Sequence, residues 1–124
     1  MRNLTKRDKE NIILKEIYIK EKISVKDLII ISGLPKNSIY RHIKDLISQK
    51  LIEKISKNPI VITFPLNIWI ILKKIKEEKI IKIDEFNDLI DKYNLKNTKI
   101  LDRFIETKIL DFMFKERNTF IKLV

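Results

Sequence analysis

Few residues here could carry acid–base, nucleophilic or metal chemistry. His42 is the only histidine and there is no cysteine. No disulfide is expected, and no thiolate-bound zinc either. A lone imidazole of this kind flanks an apolar stripe or caps a phosphate. No Ser-His-Asp arrangement assembles around it. A chain with one glycine cannot build a phosphate-cradling loop. Asp84, Glu85, Asp88 and Asp91 could draw a cation, but helix faces carry such runs routinely, and solvation is the preferred reading. No catalytic residue, cofactor or metal is therefore expected, and the chain is read as a non-enzyme. What remains is a crowd of polar and basic side chains, Lys36, Asn37, Ser38, Tyr40, Arg41 and Lys44. Such a set on one helix face suits phosphates and base edges.

The elements that must position this set can be read from capping and periodicity. Thr5 with Asp8 three residues later resembles a capping box, and Ile12, Ile13, Ile17 and Ile19 recur near helical spacing. A helix is predicted from about Thr5 to Lys20. After the connector Lys22-Ile23-Ser24, Ser24 caps a second helix with an inner face of Val25, Leu28, Ile29 and Ile31. Gly33 lets the chain leave that helix at positive φ, and Pro35 stops it continuing. A third helix starts near Lys36–Ser38 and runs to about Gln49. Its stripe is Ile39, Ile43, Leu46 and Ile47, which turns Lys36, Asn37, Ser38, Arg41 and Lys44 outward with Tyr40 at the edge. Two strands follow, 51–55 and 60–64, around the polar turn Ser56-Lys57-Asn58-Pro59.

Charge agrees with an anionic partner. The 124 residues carry a net charge of +10. Residues 1–65 hold 14 basic and 7 acidic side chains, against 13 and 10 in residues 66–124. That balance suits nucleic acid or an anionic membrane surface as partner, and equally a lysine-rich chain that uses its charge for solubility. The apolar share of 44% is enough for a folded core. The longest apolar run, 60–72, is broken by Thr63, Pro65 and Asn67 and falls short of the roughly 20 residues of a membrane helix. No signal-peptide core is visible near the start. A cytoplasmic protein without a membrane partner is the expectation.

The second half repeats the first. A shift of 58 residues sets Ile12-Ile13-Leu14-Lys15 on Ile70-Ile71-Leu72-Lys73 and Lys50-Leu51-Ile52 on Lys108-Ile109-Leu110. It implies units at 1–65 and 66–124, with second-unit helices near 66–78, 84–93 and 96–107 and strands within 109–123. Each unit is near the size where a core is marginal.

The segment Leu34 to Ile55, LPKNSIYRHIKDLISQKLIEKI, resembles the core of winged-helix transcription regulators of bacteria and archaea. The matching residues are Ser38, Tyr40, Arg41 and His42. Lys50 departs from the pattern, since the family usually has glycine there. The resemblance implies a mainly α, α+β chain of two tandem winged helix-turn-helix units, each three helices plus a two-stranded wing. It implies that Lys36–Lys44 is a recognition helix for double-stranded DNA and Ser56–Pro59 a wing tip. Lys54 and Lys57 would then touch DNA from the wing, and Arg2, Lys6 and Arg7 from the first helix. The second unit departs further. It lacks the Gly-Pro turn, for which Asn94 is the substitute. It shows Lys96, Lys99 and Arg103 outward but also Asp102. Trp69, Phe112 and Phe114 stand where the first unit has polar residues. They pack the units together or form a protein interface, with a second copy or another protein as partner. The competing expectation is a tandem winged-helix interaction scaffold without sequence-specific DNA binding.

Overall fold

Thr5 and Asp8 start the first helix by satisfying each other. In the computed structural model, which describes residues 3–124, the Asp8 N–H donates to Thr5 Oγ1 and the Thr5 N–H to the Asp8 carboxylate, both at 3.1 Å. Arg2 lies outside the described residues. Helix α1 then spans Lys6–Lys20 and strand β1 spans Lys22–Ser24. Ser24 Oγ accepts the Asp27 N–H and opens α2, Val25–Ser32. Gly33 ends it at φ 68°, in the left-handed region. Helix α3 spans Lys36–Ser48, and strands β2 (Glu53–Lys57) and β3 (Ile60–Thr63) complete the first unit.

The order recurs in the second unit. It runs α4 (Leu66–Glu78), β4 (Ile80–Lys82), α5 (Ile83–Lys92), a 3₁₀ turn at Lys96–Thr98, α6 (Ile100–Glu106), β5 (Leu110–Lys115) and β6 (Asn118–Leu123). Lys22 and Ile80 open the short strands 58 positions apart, and Ser48 and Glu106 close the helices before the hairpins at the same interval. The chain divides into two compact units, Met1–Pro65 and Leu66–Val124. The class is mixed α+β, with six α-helices and two antiparallel sheets among the described residues.

Each sheet has three strands, the two of the hairpin and one more. β1 pairs with β3, Ile23 opposite Ile62, and β2 pairs with β3 on the other side. β4, β6 and β5 repeat that order. The third strand is the connector 22–24. Three residues suffice because Ile23 is buried, and because Thr63 Oγ1 donates to the Glu21 carbonyl at 2.6 Å. β2 starts at Glu53, not Leu51. Leu51 and Ile52 are core residues instead, with no exposed face to alternate.

The core of the first unit is aliphatic. It holds Ile13, Leu14 and Ile17 of α1, Val25 and Leu28 of α2, Ile39, Ile43 and Leu46 of α3, and Ile62 and Phe64 at the end of the hairpin. Each such burial is worth about 1.5–3 kcal/mol against exposure. Ile19 and Ile31, expected inside, are 56% and 47% exposed. Ile19 lies off the arc of Ile13 and Ile17. In α2 the unbroken run Leu28-Ile29-Ile30-Ile31 gives no period, and eight residues bury only Val25 and Leu28. The second core repeats the layout with Ile68, Ile71, Leu72, Ile75, Phe86, Phe104 and Ile121. Its third helix is not the continuous 96–107 expected. Lys99 at φ 52° interrupts it, after Thr98 Oγ1 has donated back to the Leu95 carbonyl at 2.6 Å. Among the described residues, no helix is long and apolar enough to cross a membrane.

Lys50 shows how a glycine-poor chain turns out of α3. The Lys50 N–H donates to the Ile47 carbonyl at 2.9 Å and the Leu51 N–H to the Leu46 carbonyl at 3.1 Å. This is a Schellman ending, and the residue at its bend has φ 62°. Left-handed backbone costs an L-residue about 1–2 kcal/mol, and glycine's extra unfolded-state freedom returns part of that. Lys50→Gly should therefore stabilise the chain by about 0.5–1 kcal/mol. A denaturant midpoint that falls in the variant would contradict the strain.

Candidate nucleic-acid interface

The outer face of α3 follows from what its inner face buries. Ile39, Ile43 and Leu46 point into the core. Lys36, Asn37, Tyr40, Arg41 and Lys44 are left exposed. The Lys36 ammonium sits 5.9 Å from the centre of the Tyr40 ring, a cation–π contact that holds both side chains on one surface. Lys44 and Tyr40 meet the hairpin across a recess of about 400 Å³, whose other lining residues are Ile43, Ile47, Lys54 and Ile60. Residues 40, 44 and 54 are thus brought together.

Ser38 does not belong to that face. It is buried, at 7% exposure, and its hydroxyl has no hydrogen-bond partner. Ser38 and His42 are four residues apart and share the side of α3 that packs on α1. The packed face is wide enough to take in Ser38 while Lys36 and Asn37 stay exposed, against the expectation that all three point outward.

The remaining candidates lie around α3. Lys57 is exposed at the end of β2, next to the turn Asn58-Pro59, which is a cis peptide. Ser56 Oγ donates to the Pro59 carbonyl at 2.7 Å and closes that turn. A bulge between Lys54 and Ser56 re-aims the strand. Arg7 is exposed on α1. Lys6 is committed to α3, its ammonium 3.0 Å from Asp45 Oδ2. That hydrogen bond holds the Asp45 carboxyl below the usual carboxylate range, so it is anionic at neutral pH.

His42 reaches no phosphate. It is 2% exposed, with Nδ1 4.0 Å from Glu10 Oε2, too far for a hydrogen bond. Burial pushes its pKa below the ordinary histidine value, against the opposing pull of Glu10. The ring is neutral near pH 7. Glu10 was missed in the sequence, though a signal existed. It stands three, four and seven residues before Ile13, Leu14 and Ile17, on the buried stripe.

The second unit presents a different surface. Lys96 and Lys99 are exposed, but Arg103, expected outward, is buried at 3%. The break at Lys99 leaves α6 only seven residues long, and Arg103 flanks Phe104 on its inner side. Glu85 is engaged by Lys74 at 3.6 Å, so part of the acidic run is neutralised. Phe112 and Phe114 lie on β5 with rings stacked 6.3 Å apart, the second 75% exposed. Trp69 is half-buried on α4.

A buried hydroxyl without a partner costs about 1–3 kcal/mol. Ser38→Ala should therefore leave the thermal midpoint unchanged or higher. Leu46→Ala, in the same helix, should lower stability by about 2–5 kcal/mol. A Ser38→Ala loss as large as that of Leu46→Ala would mean the hydroxyl is bonded after all.

Comparison with protein-family models, with curated proteins and with solved structures finds no match to this chain.

Proposed function

We propose that the chain is a non-enzymatic DNA-binding protein, a transcriptional regulator built as two tandem winged helix-turn-helix units. The observation that carries this is the exposed set Lys36, Asn37, Tyr40, Arg41 and Lys44 on α3, with Lys54 of the hairpin across a shared recess. A 13-residue helix is about 20 Å long, and its girth suits a major groove of about 12 Å. α3 lies in that groove. Arg41 reaches a guanine edge or a phosphate, Lys44 and Lys54 neutralise flanking phosphates, and Lys57 follows the backbone from the hairpin end. Arg7 adds a charge from α1. Lys6 contributes less, because Asp45 holds it. The order helix, strand, helix, helix, hairpin is that of a winged helix, with the hairpin as wing.

Binding of this kind releases counterions and weakens steeply with salt. Arg41→Ala should weaken duplex binding about tenfold or more, and Lys44→Ala should reduce the salt slope by about one. Gel-shift titrations on random and genomic duplexes at several salt concentrations read both. If neither affinity nor slope moves, α3 is not the DNA-contacting helix.

A second activity belongs to the other unit. Two stacked phenylalanines on a solvated strand favour a protein contact there. With it the chain is a homodimer, or a scaffold subunit that does not depend on DNA. Phe112→Ser with Phe114→Ser should convert a dimer to a monomer by light scattering. An unchanged mass refutes the dimer, and co-purification of a different protein with the unaltered chain supports the scaffold.

A further inference from the structure

Glu10 breaks the stripe of its own helix. It is buried beside Ile13, Leu14 and Ile17, at 2% exposure. On α3, His42 is buried to the same degree and Asp45 follows within one turn. One ligand atom from each of Glu10, His42 and Asp45 lies within 4.8 Å of the other two. Both ring nitrogens of His42 are buried without a hydrogen-bond partner. An imidazole taken from water in that state loses its hydration with no return.

The fold does not require this arrangement. The positions 58 residues beyond Glu10 and His42 are Ile68 and Ile100, both buried in the second unit. At those two positions the second unit buries aliphatic side chains. In the first unit a carboxylate and an imidazole occupy an apolar seam, with a second carboxylate at its mouth.

We propose that Glu10, His42 and Asp45 form a binding site for a divalent transition-metal ion that bridges α1 and α3. One nitrogen and two carboxylate oxygens are borderline-to-hard donors, which suits Zn²⁺, Co²⁺ or Mn²⁺ and not a soft monovalent ion. Two carboxylates balance a dication and leave no net charge in the seam. The buried ring is already in the neutral form that coordinates. Metal–ligand bonds of about 2.0–2.2 Å place donor atoms roughly 3.3 Å apart in a tetrahedron. The Nδ1–Oε2 separation of 4.0 Å must therefore close a little, within the reach of carboxylate rotamers. Asp45 is partly exposed, its side chain at 37%, so water can complete the fourth position. Lys6 binds Oδ2 of Asp45 and competes as the resident cation. The bound ion would tie the first helix to the helix that carries Arg41 and Lys44. The site itself does not depend on the DNA-binding proposal.

The test uses the full, untagged chain stripped with a chelator and titrated with Zn²⁺ in the absence of DNA. His42 is the only histidine, so every imidazole signal in a ¹H–¹⁵N spectrum is its own. One equivalent of Zn²⁺ should move those signals, raise the thermal midpoint, and give a single site by calorimetry. Asp45→Asn, at the surface, should keep the fold and weaken Zn²⁺ binding tenfold or more. Glu10→Ile with His42→Ile reproduces the second unit's pair. It should fold with a metal-free midpoint at or above that of the unaltered chain and take up no Zn²⁺ at this site. Ring signals that stay in place at saturating Zn²⁺, or Asp45→Asn binding as tightly as the unaltered chain, would overturn the proposal. These two readouts decide it even where the double variant does not fold.

Discussion

The pairing of Lys22–Ser24 with Val61–Thr63 is the constraint on which the first unit depends. A two-stranded hairpin alone is marginal in water. The third strand gives β3 a partner on each edge and fixes the hairpin root to the junction of α1 and α2. Ile62 and Phe64 then close the core beneath three helices. The cost is closure of a long loop, which grows only slowly with length. Once the ladder forms, α3 has one seat. Its inner stripe is buried where α3 packs on α1 and α2, and its outer face turns away from the core. The second unit meets the same constraint through Ile80–Lys82 and β6.

What differs between the units is therefore surface and seam, not frame. The first unit keeps an uninterrupted α3 with Arg41 and Lys44 outward. The second splits that helix at Lys99 and buries Arg103. It also turns two phenylalanines outward on β5. Each change lowers its fitness for phosphate and raises its fitness for an apolar contact. A division of labour between the halves follows from those side chains, under the function proposed for them.

Local chemistry was legible in the sequence, and tertiary packing only in part. The Thr5–Asp8 box, the Ser24 cap, the left-handed Gly33 and the left-handed Asn94 are set by neighbours a few residues away. The Ile39-Ile43-Leu46 stripe has a clear period. The all-apolar run in α2 does not, and Ile31 lies exposed there. The burial of Ser38 depends on tertiary packing against α3, which its local sequence does not carry. The Glu10–His42 pair could not be seen as a pair, since its members sit on different helices far apart in the chain. Lys99 carried no breaker signature at all. Its left-handed backbone comes directly after Thr98 bonds back to Leu95, a side-chain hydrogen bond that competes with the helix and that residue type alone does not announce.

The scarcity of glycine places the chain's strain where it is seen. Glu21, Lys50, Lys79 and Lys108 all hold positive φ, and they form two pairs 58 positions apart, 21 with 79 and 50 with 108. The bends are thus properties of the frame, imposed whatever residue occupies them. The second hairpin goes further, with Glu116 and Arg117 both left-handed where Asn-Gly would be unstrained. A frame that imposes such strain must offset it by burial, and the dense isoleucine core does so. Against that background a buried Glu and His in one seam, and isoleucines in the other, is not a packing necessity. The second unit buries Ile68 and Ile100 at the corresponding positions. Burying both ring nitrogens of His42 without a hydrogen-bond partner costs the seam hydration, and under the metal site proposed above a bound ion would offset that cost.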